Sequence, residues 1–198
     1  MGVRVAASAD VAESASLGEG TQIWDLAQVR EGAVLGESCI VGRGAYIGTG
    51  VRMGRHCKVQ NLALVYEPAE IADGVFIGPG AVLTNDTYPR AVNPDGSLKS
   101  AADWQAVGVT IGEGASIGAR AVCVAPVTIG AWSTVAAGAV VTKDVPDHAI
   151  VVGVPARQVG WVGHAGHPLR REAEFLVCPV SGTTYVEHEG SIREVVPE

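Results

Sequence analysis

Aromatic side chains are scarce in this chain, at only 5% of its 198 residues, although 47% of the residues are hydrophobic. A core that contains many aliphatic side chains and few rings must be narrow and regular. Basic clusters are also absent, and the net charge is −7. We therefore expect neither nucleic acid nor an anionic membrane surface as a partner.

Long hydrophobic runs are missing as well. No segment approaches the roughly 18 apolar residues of a membrane-spanning helix, and residues 1–14 lack the features of a signal peptide. The four cysteines lie too far apart to indicate a disulfide framework. These absences predict a cytoplasmic protein. The length fits one main domain, residues 1–162, and a small C-terminal appendage, residues 163–198.

A period of six residues runs through most of the chain. Every sixth residue from Val11 to Leu83 is aliphatic, and a small residue lies four places after each of the first twelve. Gly commonly follows the aliphatic residue directly, where it permits a sharp turn. This pattern predicts short strands with alternating large and small inward side chains, three hexads to each triangular coil. Three cysteines fall on inward positions and are expected to be small core residues: Cys39, Cys57 and Cys123.

The period breaks after Leu83 and resumes at Ile111, 28 residues later, which is not a multiple of six. We expect an extruded loop at residues 84–108, because loops of this length in compact proteins are usually functional or disordered. Its second half is predicted to form a short helix or an irregular lid. Trp104 in that half either packs on a nucleotide base or anchors the loop. The hexads before and after the break correspond to about six coils.

The repeat resembles the left-handed parallel β-helix acyltransferases over residues 9–162. This resemblance implies an all-β fold, a homotrimer, and active sites between neighbouring subunits. The segment AGAVVTKDVPDHAIVVGVPARQVGWV, residues 137–162, is similar to the last coils of members that use acetyl-CoA. On this resemblance Lys143 and Arg157 contact CoA phosphates, unless they are ordinary surface charges. The small residues Gly118 and Ala136 would let the pantetheine arm lie along the backbone.

A narrower resemblance lies in residues 58–91, which are similar to N-acetyltransferases of nucleotide-linked 3-amino sugars. Those enzymes act on UDP-2-acetamido-3-amino-2,3-dideoxyglucuronate or on dTDP-3-amino-3,6-dideoxyhexoses. Their pattern of QNN, VY, GP, TN and PR is matched except that Leu62 replaces the second Asn. The matching residues are Gln60, Asn61, Val65, Tyr66, Gly78, Pro79, Thr84, Asn85, Pro89 and Arg90.

Asn61 is the residue that this resemblance favours as catalytic. It follows Gln60 at a coil corner, and we expect it to hold the acceptor amine while Gln60 contacts the substrate. The alternative is a turn residue whose side chain bonds to the backbone. The resemblance thus assigns a positioning task to an amide that cannot itself take up a proton.

The first residues of the loop are further candidates for substrate binding. Arg90 is expected to bind a diphosphate or a uronate carboxylate in a bidentate manner, and Asp86 to accept the amine proton. Alternatively, Asp86 and Arg90 form an ion pair that ties the loop together. Asn85 and Tyr88 complete the predicted substrate-binding set.

A histidine base is not expected. His56 is the only histidine in residues 11–147, and no carboxylate at a recognisable spacing orients it; His148 is expected at the surface. An alkyl amine can lose its proton to solvent, which leaves proximity and orientation to the enzyme. A γ-carbonic anhydrase, which needs three His ligands, is nearly excluded. An O-acetyltransferase of another small acceptor and a non-catalytic scaffold remain as alternatives.

The appendage is predicted to be a two- or three-stranded unit. In some relatives this region is similar to a zinc ribbon with a CPxCG motif. Here Cys178 alone remains of the cysteine ligands, and Ser181 replaces its partner. His164 and His167 lack the company needed for a closed tetrahedral site, so no metal is expected.

Overall fold

The computed structural model describes residues 2–195, most of which form a parallel β-helix. Up to the loop, each short strand pairs with the strand 18 residues further along the chain, as Arg4 pairs with Gln22. Three strands and three corners therefore complete one coil. The predicted all-β, left-handed parallel β-helix of about six coils is confirmed. Its first strand begins one hexad before Val11, so the repeat extends further than the sequence period was followed.

Three sheets, named A, B and C here, form the walls of the β-helix. Sheet A contains β1 (Arg4–Val5), β4 (Gln22–Ile23), β7 (Ile40–Val41), β10 (Lys58–Val59), β13 (Phe76–Ile77), β16 (Ser116–Ile117), β19 (Thr134–Val135), β21 (Ala149–Val152) and β22 (Arg157–Trp161). Sheet B contains β2 (Asp10–Val11), β5 (Gln28–Val29), β8 (Tyr46–Ile47), β11 (Leu64–Val65), β14 (Val82–Leu83), β17 (Val122–Cys123) and β20 (Val140–Val141). Sheet C contains β3 (Ser16–Leu17), β6 (Val34–Leu35), β9 (Arg52–Met53), β12 (Glu70–Ile71), β15 (Val109–Ile111) and β18 (Val127–Ile129).

The corners between these walls form three long edges. The A–B edge lies between sheets A and B, and the B–C and C–A edges are defined in the same way. The A–B edge comprises residues 6–9, 24–27, 42–45, 60–63, 78–81, 118–121 and 136–139. Residues at equivalent places in successive coils stack on one another about 4.8 Å apart.

The core consists of the inward residues of the hexads. Within a two-residue strand the second side chain faces inward, so Leu35 is buried while Val34 is 39% exposed. The small inward residues, such as Ala63 and Ala81, are also fully buried. The three cysteines expected on inward positions are buried free thiols, and burial raises the pKa of Cys123 to about 12.

The loop leaves the β-helix at the B–C edge, between β14 and β15. It displaces the pairing so that Glu70 meets Thr110 rather than a residue 18 positions later. Its base is closed by a hydrogen bond from the Val107 N–H to the Asn85 carbonyl (3.1 Å). The predicted short helix in the second half is a single 3₁₀ turn, Ala101–Asp103, with Ser100 as its N-cap.

The appendage is a four-stranded antiparallel sheet, so the prediction of two or three strands was wrong. Its strands are β23 (Arg170–Glu172), β24 (Phe175–Val177), β25 (Thr184–His188) and β26 (Ser191–Glu194). Tyr185 and Leu176 join the core cluster at the end of the β-helix. The Trp161 Nε1 donates to Glu187 (3.1 Å), which also pairs with Arg171. The part of the appendage beyond residue 195 lies outside the described residues.

Strand β6 offers a direct test of the inward and outward assignment. Leu35→Ala should lower the free energy of unfolding by about 2 to 5 kcal/mol, because a coil enclosed by its neighbours cannot close the cavity. Val34→Ala, one residue earlier on the outer face, should cost less than about 1 kcal/mol. Chemical denaturation of both variants measures the difference, and equal costs would contradict the assignment.

Candidate functional site

Four of the predicted site residues lie on the A–B edge. Gln60 and Asn61 occupy one corner, and Gly118 and Ala136 occupy the first position of two later corners. Backbone hydrogen bonds join these corners along the edge; the Gly80 N–H, for example, donates to the Asn61 carbonyl (2.9 Å). Asn61 thus lies next to a run of corners in which small residues dominate.

The side chain of Asn61 has a structural bond and a free donor. Its Oδ1 accepts the Arg43 N–H of the preceding coil at 2.9 Å. This bond decides which amide atom is oxygen, because an N–H must face an acceptor. The Nδ2 forms no hydrogen bond with residues 2–195, and Asn61 is exposed. The turn-residue interpretation therefore holds for Oδ1, which bonds to the backbone, whereas Nδ2 forms no bond to the backbone of residues 2–195.

Leu62, where the resemblance has an Asn, occupies the left-handed backbone position of the same corner, with φ of 60°. Asn adopts this conformation more readily than Leu. The side chain of Leu62 is 64% exposed. The departure therefore replaces a suited polar corner residue by an exposed apolar one beside Asn61.

The predicted residues of the loop lie on another edge. Asn85 and Asp86 are half-buried at the B–C edge, whereas Tyr88 is 81% exposed. Asp86 accepts the Tyr88 N–H at 2.8 Å, and Arg90 donates to the Pro89 carbonyl at 3.0 Å. Among the described residues Asp86 and Arg90 form no ion pair with each other. The interpretation of the loop as tied by that pair is not supported.

Sheet B separates these two groups within one chain, since the A–B and B–C edges lie at opposite ends of its strands. The outward residues of this wall are apolar from coil three onward. They form an outer stripe that lies in register: Tyr46, Leu64, Val82, Val122 and Val140. The structure therefore does not bring Asn61 and Arg90 together in a single subunit.

Lys143 and Arg157 do come together. Both line a cleft of about 340 Å³ at the last coil, together with Asp144, Pro146 and Gln158. Both side chains are exposed, and Arg157 donates to the Ala156 carbonyl at 2.9 Å. Two cations on one small cleft provide the charge that a phosphate group requires.

The histidines are not arranged as a base beside Asn61. His56 is exposed on the C–A edge, with φ of 60°. His148, expected at the surface, is half-buried beneath the appendage, which corrects that expectation. Its Nδ1 lies 3.0 Å from the Val162 carbonyl, and its ring meets that of His164 edge-on with centroids 5.0 Å apart. Burial lowers the pKa of His148.

No group of three or more His, Cys, Asp or Glu side chains with metal-binding geometry occurs in residues 2–195. Cys178 instead accepts the Ser181 N–H at 3.5 Å, and hydrogen bonding by the side chain and then the backbone of Ser181 lowers the pKa of Cys178. His164 is occupied by Tyr185 and Glu194, at 3.2 and 3.4 Å. No helix in the described part of the chain is long and apolar enough to cross a membrane. The cytoplasmic location stays a prediction.

Two features escaped the sequence analysis. A cleft of about 260 Å³ adjoins Asn61 on the side of the earlier coils, and Trp24, Asp25 and Arg43 line it. Glu67, at the B–C edge, has a buried Oε2 without a hydrogen-bond partner among residues 2–195. The sequence signal for the first was a Trp in a corner position where most other hexads have Gly or Ala.

The fold and these corners are similar to those of hexapeptide-repeat proteins, and part of the chain matches that family. The family described as "Hexapeptide repeat of succinyl-transferase" matches residues 31–61 and 108–143. The chain is similar to dTDP-3-amino-3,6-dideoxy-alpha-D-galactopyranose 3-N-acetyltransferase from Aneurinibacillus thermoaerophilus, with 39% identity over 84 residues, 42% of this chain and 43% of that one. It is also similar to the bifunctional protein GlmU from Brevibacillus brevis, with 37% identity over 120 residues, 61% of this chain and 22% of that one. The chain thus spans less than half the length of these relatives.

A solved structure with a similar fold is perosamine N-acetyltransferase from Caulobacter crescentus, a mutant in complex with CoA and GDP-perosamine. The TM-score is 0.51 at 25% identity, over 81% of this chain and 57% of that chain. The named relatives therefore include two N-acetyltransferases of nucleotide-linked amino sugars, which agrees with the family resemblance.

The half-buried His148 predicts a pH-dependent stability. Its folded-state pKa is lowered, so below about pH 6.5 the unfolded chain takes up a proton that the folded chain does not. Stability should therefore be unaffected above that pH and fall as the pH drops toward the folded pKa. His164, Asp147, Glu194 and the Val162 carbonyl face the ring.

Denaturation midpoints between pH 5 and 8 measure this dependence. His148→Gln should reduce the loss of stability at acidic pH, whereas the same change at the exposed His188 should leave that loss unchanged. An identical loss of stability at acidic pH in wild type and His148→Gln would refute the role of His148 in this pH dependence.

Proposed function

We propose that this protein is an acetyl-CoA-dependent N-acetyltransferase that acts on the amine of a nucleotide-linked 3-amino sugar, with UDP or dTDP as the nucleotide. The observation that carries the proposal is the A–B edge. There Asn61 presents a free amide donor at the end of a run of small corner residues. The 39% identical relative named as a dTDP-3-amino-sugar 3-N-acetyltransferase supports the sugar class.

The reaction forms a C–N bond between the sugar amine and the acetyl carbonyl and breaks the C–S bond of the thioester. One amine proton leaves, and the CoA thiolate takes up a proton to become the free thiol. Asn61 cannot serve as the base, because a side-chain amide does not accept a proton at neutral pH. Its Oδ1 bond to the Arg43 N–H fixes the side chain, so Nδ2 can hold an oxygen of the thioester or of the acceptor at low entropic cost.

The amine proton has two acceptors in this proposal. Solvent is one, and the Asp86 carboxylate on the loop is the other. The absence of a histidine beside Asn61 within residues 2–195 agrees with the choice of an amine, since a sugar hydroxyl would require a stronger base. Gln60, Asn85, Tyr88 and Arg90 contact the acceptor in this arrangement.

Acetyl-CoA lies along the later coils in the proposal. Lys143 and Arg157 hold its phosphates in the cleft that they share. The arm then follows the A–B edge past Ala136 and Gly118 toward Asn61. The fold itself also requires glycine at position 118, because a Cβ there would collide with the backbone of Ala136 and Ala137.

We also propose a homotrimer, with the apolar outer stripe of sheet B as the surface that each neighbour covers. The outer faces of sheets A and C carry more charge, for example Lys58, Arg52 and Glu70. Sheet B separates Asn61 from the loop residues, so a second copy is what supplies a loop to each Asn61. The site is therefore incomplete in one chain.

The free Nδ2 of Asn61 is tested by an isosteric change. Asn61→Asp keeps an oxygen for the Arg43 N–H and removes the donor, so kcat/KM should fall about a hundredfold with little change in stability. Free thiol release from acetyl-CoA, with a panel of UDP- and dTDP-linked 3-amino and 4-amino sugars, measures the rate.

The matched control is Asp73→Asn on the C–A edge, where Asp73 caps the Arg55 N–H in the same way at 2.9 Å. Its activity should equal that of the wild type. Full activity of Asn61→Asp would remove Asn61 from the mechanism. A wild-type protein that acetylates no 3-amino sugar would refute the substrate class, and one that binds no CoA thioester would indicate a scaffold.

The assembly is tested at the outer stripe. Wild type should have a solution mass about three times the 20.3 kDa of the chain, and Val122→Asp should dissociate the trimer, because a charge in an apolar interface remains unpaired. Light scattering after gel filtration measures both. Val34→Asp on sheet C is the control and should stay trimeric; a monomeric wild type would contradict the proposal.

A further inference from the structure

We propose that the cleft formed by Trp24, Gly42, Arg43 and Gln60 binds the nucleoside diphosphate of the acceptor. This inference rests on the proposed function and names the part of the chain that recognises the nucleotide. The cleft lies on the A–B edge, in the coils before Asn61, and has a volume of about 260 Å³.

The shape of the cleft follows from one column of corner residues. The first corner position holds Trp24, then Gly42, then Gln60 in successive coils. Because coils repeat about every 4.8 Å, the two large side chains lie roughly 10 Å apart with a glycine between them. A Cβ at Gly42 would lie 2.7 Å from both the backbone N and the Oδ1 of Asn61. Gly42 therefore forms the floor of a notch that ends at Asn61.

Trp24 provides an aromatic wall for a base. Its indole is 41% exposed rather than packed in the core. The guanidinium of Arg4 lies 5.2 Å from the ring centroid and makes a cation–π contact with it. An exposed indole is a surface on which any nucleobase can stack.

Arg43 provides the charge for the diphosphate. Its backbone is fixed by hydrogen bonds to Asn61 and Leu62, but its guanidinium forms no ion pair with residues 2–195. Lys58, next to Ile40 of the cleft, is likewise exposed and without an ion pair in the described chain. Asp25 also lines the cleft, and its carboxylate accepts the Ser8 hydroxyl at 2.9 Å. Arg43 and Lys58 outnumber this single carboxylate, so the cleft beside the exposed indole favours an anionic ligand with a planar group.

The order of groups along the edge agrees with transfer to a sugar. The nucleotide lies toward the early coils, acetyl-CoA lies toward the late coils, and Asn61 lies between them. The sugar is attached to the diphosphate, so its amine reaches the corner at which the thioester of acetyl-CoA lies. Arg90 of the loop is then left for a substituent of the sugar, such as a uronate carboxylate, rather than for the diphosphate.

Calorimetric titrations of the full chain with UDP, dTDP, GDP and acetyl-CoA test this inference. Trp24→Ala and Arg43→Ala should each weaken the tightest-binding nucleotide at least tenfold and leave acetyl-CoA affinity unchanged. Arg157→Ala should weaken the binding of acetyl-CoA and leave nucleotide affinity unchanged. Arg55→Ala, an exposed corner arginine paired with Asp73 on the C–A edge, should change neither, and circular dichroism checks that every variant is folded.

The outcomes separate this inference from the proposed function. Wild-type turnover of a nucleotide sugar with an unchanged KM in both Trp24→Ala and Arg43→Ala would overturn the inference and leave the function standing. Wild-type binding of acetyl-CoA without binding of any of the three nucleotides would also overturn it. Absence of acetyl-CoA binding and of turnover would instead overturn the proposed function. Selective loss of nucleotide affinity in the two variants supports the inference.

Discussion

The stacking of each coil on the next through backbone hydrogen bonds is the constraint on which the rest of this structure depends. Most strands of the β-helix contain only two residues, so none of these is stable alone, and each depends on its partners in the neighbouring coils, as Lys58 does on Ile40 and Phe76. Stacked corners approach so closely that several cannot carry a Cβ. Inward volume is fixed too, and therefore large residues such as Ile77 alternate with small ones such as Ala81.

The same stacking turns a sequence period into columns on the surface. Residues six apart follow one another around the coil, whereas residues 18 apart lie above one another on one edge. A substrate that lies along an edge therefore contacts one residue per coil. On the A–B edge this column changes from Trp24 through Gln60 to Gly118. In the proposed site the nucleotide lies at the end with large side chains, and acetyl-CoA lies at the end with small ones.

The expectation for His148 was wrong for a physical reason. His148 was placed at the surface because its corner belongs to the last coil, where nothing in the repeat covers it. The appendage covers it, and its burial lowers the pKa of the ring. The Asp86–Arg90 ion pair, which was the alternative interpretation of the loop, is not formed among the described residues; Asp86 accepts the backbone N–H of Tyr88.

The sequence by itself determined the coil, the inward residues and the position of the loop, because a six-residue period imposes one register on a narrow core. It also supplied Gln60, Asn61 and the loop residues as candidates through their resemblance to a family. The tertiary structure alone decided which of these share an edge, since that depends on the number of corners between them. It separated Asn61 from Arg90 by sheet B and placed Lys143 and Arg157 on one cleft. It also placed Trp24, which lies two coils before Asn61, on the same cleft as Asn61.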